Sequence, residues 1–306
     1  MAAASYRRTN DPITINKVTV RTENTGAVVA QDAALPLKMS RTAYNAQKKR
    51  RSLIVASASM VTVLALIYYF VPRAPGWERV KDSFFNWDVF VGTFPKLLNA
   101  FLIDVMIFAW CAPAIAIWGL VIALCRDARS PALFPLRVFA TVYNDVFRGV
   151  PVILVIYLIG FGIPGLGLSR TWSNPYIWGS LALILSYSAY VAEVYRAGIE
   201  SIHESQRSAA KSLGLSHWHT MSRVILPQAF RRVIPANMNN FISLQKDVAL
   251  VSFIGPVELL RQAGVEKSLL ANFTPYVGAA LIFLSVTIPA TRFADHLIAK
   301  QNRERG

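Results

Sequence analysis

Ser201 to Pro227 reads SIHESQRSAAKSLGLSHWHTMSRVILP, a polar and basic stretch set between two apolar ones. Ser201 followed by Glu204 has the spacing of a capping box, so a helix is expected to start there. Gly214 suits the left-handed stop of that helix, and Leu215 the apolar contact that follows it. Ser216 can cap a second helix, which Pro227 is expected to close. The stretch therefore reads as an elbow of two short helices. Ala209 and Ala210 sit together in the first, where small side chains let another surface approach the backbone. On helix signals alone, a plain connecting hairpin explains the stretch more simply.

Working outward, the flanks decide the class. Tyr176 to Ala197 precedes the elbow as an apolar run that carries Glu193 near its end. Val233 to Gly255 follows it, apolar but holding Asn237, Asn239, Asn240, Gln245, Lys246 and Asp247. Four further runs complete the pattern: Leu53 to Val71, Leu97 to Cys125, Val138 to Gly162 and Tyr176's counterpart at the end of the chain, Tyr276 to Ala299. Leu53 to Val71 has no charge, and about 20 helical residues cross a bilayer. Of the 306 residues 54% are hydrophobic and 16% charged, against roughly 25% charged in soluble domains. The chain is expected to be an all-α polytopic membrane protein of six spans.

Charge orients it. The net charge is +15, and the charge lies outside the apolar runs. Lys and Arg number 23 on the side of both termini, the 126–137 loop and the elbow, against seven on the other. Both termini are thus expected in the cytoplasm. Residues 1–51 read as a disordered basic tail ending in Lys48, Lys49, Arg50 and Arg51. Residues 52–72 read as a first transmembrane helix, 73–96 as an outer interfacial segment with Trp77 and Trp87, 256–275 as an outer loop, and 301–306 as a cytoplasmic tail. No aromatic-interleaved basic face suggests nucleic acid. Cys111 and Cys125 share one run too far apart to pair. His203, His217 and His219 lack converging partners for a metal, and no GxxxxGK[ST] phosphate loop is present.

The spacing Ala209-Ala210, three residues, Gly214, nine residues, Val224-Ile225-Leu226-Pro227 resembles the coupling loop of bacterial ABC importer permeases. The strings YNDVFRGVPVILVIYLIGFGIP, YSAYVAEVYRAGIESI, SLGLSHWHTMSRVILPQAFRRVIPANMNNFISLQKDVALVSFIG and PVEL resemble the polar amino acid permeases, which serve histidine, glutamine, glutamate, arginine and cystine. The resemblance runs from about Phe85 to Lys300. It implies a type I permease core of five helices over 97–300, with the coupling loop at 200–228 and the 52–72 helix as an addition. Ser208 stands where the family has an acidic residue, with Lys211 and Glu204 as nearby charges that could substitute for it.

The resemblance further implies coupling contacts at Ser208, Ala209, Ala210, Gly214, Leu215, Leu226 and Pro227. It implies as partners an ABC ATPase dimer that holds ATP and Mg, a second permease, identical or sister, and an extracytoplasmic binding protein. This chain itself would bind no cofactor. Intramembrane polar groups are costly and suggest a substrate path. The candidates are Arg148, Glu193, Asn239, Asn240, Gln245, Lys246 and Asp247, since an amino acid zwitterion calls for opposite charges. Asp104 joins these candidates, but it sits near the expected outer end of its span, where simple solvation accounts for it equally. A secondary transporter or channel fits six spans equally, but needs no elbow.

Overall fold

The computed structural model describes residues 41–128, 130–167, 169 and 171–303. The tail before residue 41, and residues 304–306, lie outside it. The described residues are helical, with no strand among them. Contacts divide them into a first unit up to Tyr68 and a second from Tyr69 onward.

The first unit is one helix, α1 (Arg41–Phe70), which runs on into the start of the second. Helix therefore begins ten residues before the expected end of the tail. Thr, Ala, Asn and Gln between Arg41 and Lys48 carry no breaker, so the turn that enters the span propagates backward at little cost. Its large apolar side chains, from Leu53 to Phe70, stay half or more exposed.

The second unit opens with a short α2 (Trp77–Phe84), then α3 (Trp87–Asp127). The expected interfacial segment is thus shorter than read: residues 87–96 are the first turns of α3. Asn86 starts it, its side chain accepting from the Val89 amide at 3.1 Å, a strong N-cap arrangement. A short 3₁₀ turn then leads to α4 (Phe134–Gly149) and α5 (Val152–Gly162).

These last two form one of the expected spans, but it is broken. Their axes differ by 106°. Val150 precedes Pro151 and adopts an extended backbone, φ −96° and ψ 130°. The proline ring disfavours helix in the residue before it, so hydropathy alone joined what sterics divide.

α6 (Pro175–Glu200) is the central helix. It packs on α3, α4, α5 and α9 (Leu226–Asp247). Glycines let it approach α9 and its extension closely. A Cβ on Gly198 would lie 2.1 Å from Val233 Cγ1, and one on Gly179 2.3 Å from Val251 Cγ1. The main core joins α3, α5, α6 and the far end of α9 through Ile115, Ile122, Ile156, Leu183, Val191 and Leu244.

α9 continues as a 3₁₀ stretch, Val248–Ile254, then bends by 53° into α10 (Leu259–Leu270). The expected outer loop is therefore itself helical. The last helix, α11 (Thr274–Arg303), packs on α3, α9 and α10. By length and composition four helices are able to cross a membrane, or six if each bent pair counts as one.

Asp104 departs from its expected solvated setting. It is 2% exposed, and its Oδ2 accepts from the Leu259 amide at 3.3 Å. Glu258, fully buried, caps the same helix start, accepting from the Leu260 and Arg261 amides at 2.8 Å each. α10 is thereby fastened at its N-terminus to α3, where the partial positive charge of free amides favours carboxyl oxygens.

Candidate functional site

The elbow contains α7 (Glu204–Ser212) and α8 (His217–Thr220). Ser201 does not cap α7. Its backbone is still helical, φ −68° and ψ −14°, and its hydroxyl donates to the Gly198 carbonyl at 2.7 Å. The chain becomes extended only at His203, φ −58° and ψ 140°, so the imidazole takes the cap and Nδ1 accepts from the Ser205 amide at 3.2 Å. A serine spacing signal is only as good as the backbone angle beneath it.

The turn follows the sequence reading. Gly214 has φ +76°. The Leu215 amide donates to the Ala210 carbonyl at 3.1 Å and the Gly214 amide to Lys211 at 2.9 Å. This is a Schellman closure, which needs a left-handed residue. Ser216 then caps α8, accepting from the His219 amide at 3.3 Å.

Pro227 does not end the second helix. α8 passes through a π-helical stretch, Met221–Ile225, straight into α9, with Pro227 in its first turn. Proline is tolerated where the backbone already departs from regular i→i−4 bonding. A sequence reading had no means of seeing the wide turn upstream.

Two faces result. Ile199, Ile202, Met221, Ile225 and Ala229 form a local core, and Ala210 of α7 is also buried, at 3% exposure. Of the two small residues only Ala209 is therefore exposed, as are Ser208, Gly214 and Pro227. Leu215 and Leu226 are half-buried. The open face carries Leu213, 82% exposed, and Trp218, 68% exposed. Leu213 escaped sequence reasoning because an apolar residue in the last turn of a helix normally signals packing.

The polar groups of the spans fall into two sets. In the first, Glu193 on α6 meets Arg126 of α3 at 2.7 Å, Arg148 of α4 at 3.5 Å, and Arg196 one turn further on α6. Asn144 completes it: turned so that its oxygen accepts from Arg126 at 3.1 Å, its amide donates to the Ala189 carbonyl at 2.7 Å. The structure brings Arg148 and Glu193 together, but Glu193 is occupied by protein cations. Arg148 keeps 43% of its side chain exposed and lies 6.0 Å from the Tyr190 ring.

In the second set, Asp247 accepts from the Tyr187 hydroxyl at 2.7 Å, and Gln245 Oε1 from Thr287 at 2.9 Å. Gln245 Nε2, Asn240 Nδ2 and Asn237 Oδ1 are buried with no partner. Buried unpaired polar atoms cost about 1–3 kcal/mol each, which makes this part of α9 unusual. Lys246 and Asn239 are exposed. Lys246 and Asp247 form no ion pair with each other. Tyr187, Thr287, Arg126 and Asn144 were absent from the sequence candidates, because they enter only through contacts between distant helices. Among the described residues no group of three or more His, Cys, Asp or Glu is arranged to hold a metal.

The chain thus sets a folded polar elbow among helices long and apolar enough to cross a membrane, with the central helix pinned by ionic groups. Residues 89–303 match the family described as binding-protein-dependent transport system inner membrane component. The chain belongs to this family and is a multi-pass membrane permease subunit of ABC-transporter type.

Among its relatives is the inner membrane amino-acid ABC transporter permease protein YhdY of Escherichia coli K12. It is 36% identical over 192 residues, 61% of this chain and 52% of that protein, so the match spans about half of it. The glutamate/aspartate import permease protein GltK of Escherichia coli O157:H7 is 33% identical over 207 residues, 63% of this chain and 91% of the relative. The arginine transport system permease protein ArtQ of Bacillus subtilis 168 is 32% identical over 201 residues, 64% and 88%. A crystal structure of an amino acid ABC transporter with histidines superposes with a TM-score of 0.62 at 31% identity, covering 69% of this chain and 96% of that one. The matched family region begins at residue 89, after α1 and α2.

Proposed function

We propose that this chain is the translocating subunit of an importer for a polar amino acid, driven by a separate ATPase. The observation that carries the reading is the elbow. Between two membrane helices stands a folded unit with a left-handed Gly214 and an open face bearing Leu213 and Trp218. Large apolar side chains held out on a polar connector suit a protein partner. The substrate class is drawn from relatives whose names specify glutamate/aspartate and arginine.

In this reading both termini and the elbow lie in the cytoplasm, two copies or a copy and a sister chain pair in the membrane, and an extracytoplasmic binding protein delivers substrate. ATP and Mg belong to the ATPase. The sequence has no phosphate loop of its own. ATP-driven closure of the ATPase pair moves the elbows, and rigid rocking of the helices alternates access to the path. Arg148, whose side chain is 43% exposed beside Glu193, is the proposed contact for the substrate carboxylate. Asn239, Asn240, Gln245, Lys246 and Asp247 supply the polar lining along α9. Glu193 acts at one remove, by setting Arg148.

The test is Gly214→Asp. A Cβ at Gly214 meets nothing within 4 Å in this chain. The left-handed backbone costs a non-glycine residue roughly 1–2 kcal/mol, a local effect. Loss of amino acid uptake together with loss of ATPase co-purification is expected, because an incoming surface would meet the added group. Normal uptake with normal co-purification would refute the assignment. Competition of labelled uptake by a panel of amino acids then fixes the substrate.

A further inference from the structure

The end of α3 holds an unpartnered carboxylate beside the elbow. α3 ends at Asp127, whose Oδ2 is buried and makes no hydrogen bond. Asp127 lines a cavity of about 560 Å³. Leu124 and Leu133 form one wall, and His217, Trp218 and Met221 of the elbow the other. Among the described residues, two neighbouring cations are engaged elsewhere. Arg126 is held by Glu193 at 2.7 Å, and Arg137 donates to the Ala128 carbonyl at 3.3 Å and lies 5.4 Å from the Phe134 ring. Among the described residues Asp127 takes part in no ion pair.

An orphaned carboxylate oxygen is costly in such surroundings, more so than a neutral acceptor. Apolar walls with one acid between them complement an amphipathic cation. An aliphatic stem would lie along Leu124, Leu133 and Met221, its head at Asp127 and near the Trp218 ring. Lysine and arginine side chains have this form. The cavity is continuous with the elbow's open face, because Trp218 belongs to both. Around it the elbow surface is itself basic, with Lys211 and Arg223 exposed, and Glu204 lies 3.8 Å from Arg207.

We propose that a lysine or arginine of the ATPase subunit inserts between the end of α3 and α8 and pairs with Asp127. This deepens the reading above and rests on it. The pocket joins the first cytoplasmic loop to the elbow, so the ATPase grips two segments of the permease.

The experiment titrates the permease, in lipid nanodiscs, with its purified cognate ATPase subunit. Failure of the wild-type chain to bind removes the underlying reading and this inference with it. Given wild-type binding, Asp127→Asn is expected to weaken affinity at least about tenfold and Asp127→Glu by less than about threefold, since truncating one side of a buried charge pair is the costly change. The Asp127→Glu midpoint is expected to match wild type, and the Asp127→Asn midpoint to match or exceed it, since neutralisation relieves the unpaired charge. Equal affinity of wild type and Asp127→Asn overturns the pairing and leaves the elbow reading intact. So does a fall in midpoint shared equally by both variants, which marks a folding role. Alanine substitution of each exposed Lys and Arg of the ATPase then seeks one residue with no further effect in the Asp127→Asn background. Strict additivity for all of them overturns the proposal. Finally, an Asp127→Asn effect seen with phosphatidylethanolamine but lost in phosphatidylcholine alone assigns the pocket to a lipid amine and overturns it too.

Discussion

At the scale of single residues, Glu193 organises the ionic interior. Three guanidiniums from α3, α4 and α6 converge on it, with side chains of Glu193, Arg126 and Arg196 between 17% and 30% exposed. Removing one partner from such a set leaves like charges facing one another. Glu193→Gln is expected to lower stability by about 2 kcal/mol, read as a lower melting midpoint in detergent, and to reduce uptake. An unchanged midpoint would show that the arginines hold their places without it. Asp247→Asn is a different case. The Tyr187 hydroxyl bond survives the change, so stability is expected to hold while substrate affinity falls if the carboxylate meets the substrate ammonium. Equal transport constants for Asp247→Asn and wild type would take Asp247 out of the path. Both residues stood out in the sequence as charges inside apolar runs. Their partners did not, because Arg126 is 67 positions from Glu193 and Tyr187 is 60 from Asp247. The same blindness turned Asp104 into a solvated residue, when Leu259 lies against it from 155 positions away.

At the scale of elements, close approach of α6 to α9 depends on glycine. Gly198→Ala sets a Cβ 2.1 Å from Val233 Cγ1. Valine is stiff about χ1, so helix axes must separate, at about 1–3 kcal/mol. A lower melting midpoint is expected for Gly198→Ala, with much of the loss recovered in Gly198→Ala/Val233→Ala. Absence of recovery would place the strain elsewhere. Helix starts were partly legible. Ser216 and Gly214 acted as their chemistry dictates, whereas Ser201 was claimed by the helix before it. Proline was the less readable signal. Pro151 breaks a span and Pro227 leaves a helix running. The difference lies in the neighbouring backbone, extended at Val150 and π-helical before Leu226, and composition encodes neither.

At the scale of the whole molecule, hydropathy located the membrane segments well because apolar length is a local property. It missed the break inside one expected span, where α4 and α5 meet at an angle of 106°. The family match beginning at residue 89 leaves α1 outside the common core. A chain beginning at Tyr69 is expected to insert and to melt at the wild-type midpoint, because the apolar side chains of α1 remain exposed. Thirteen Lys and Arg would still mark the side proposed as cytoplasmic against seven opposite, so the core should keep its orientation and the new N-terminus should emerge on the other side. A fluorescent or phosphatase fusion reports which side that is. A reversed core would show that the first 68 residues set the topology.

The unbroken course from α8 through the π-helical stretch into α9 has a kinetic meaning. The elbow is jointed on its other side, where Ser201 to His203 separate α6 from α7, and again at the Gly214 turn between α7 and α8. In the proposed reading, torque applied at Trp218 passes along this continuous run of helix. Its far end bends into α10, which two carboxyl groups tie back to α3. In that reading a push on the elbow registers as a swing of α10 beyond the 53° bend.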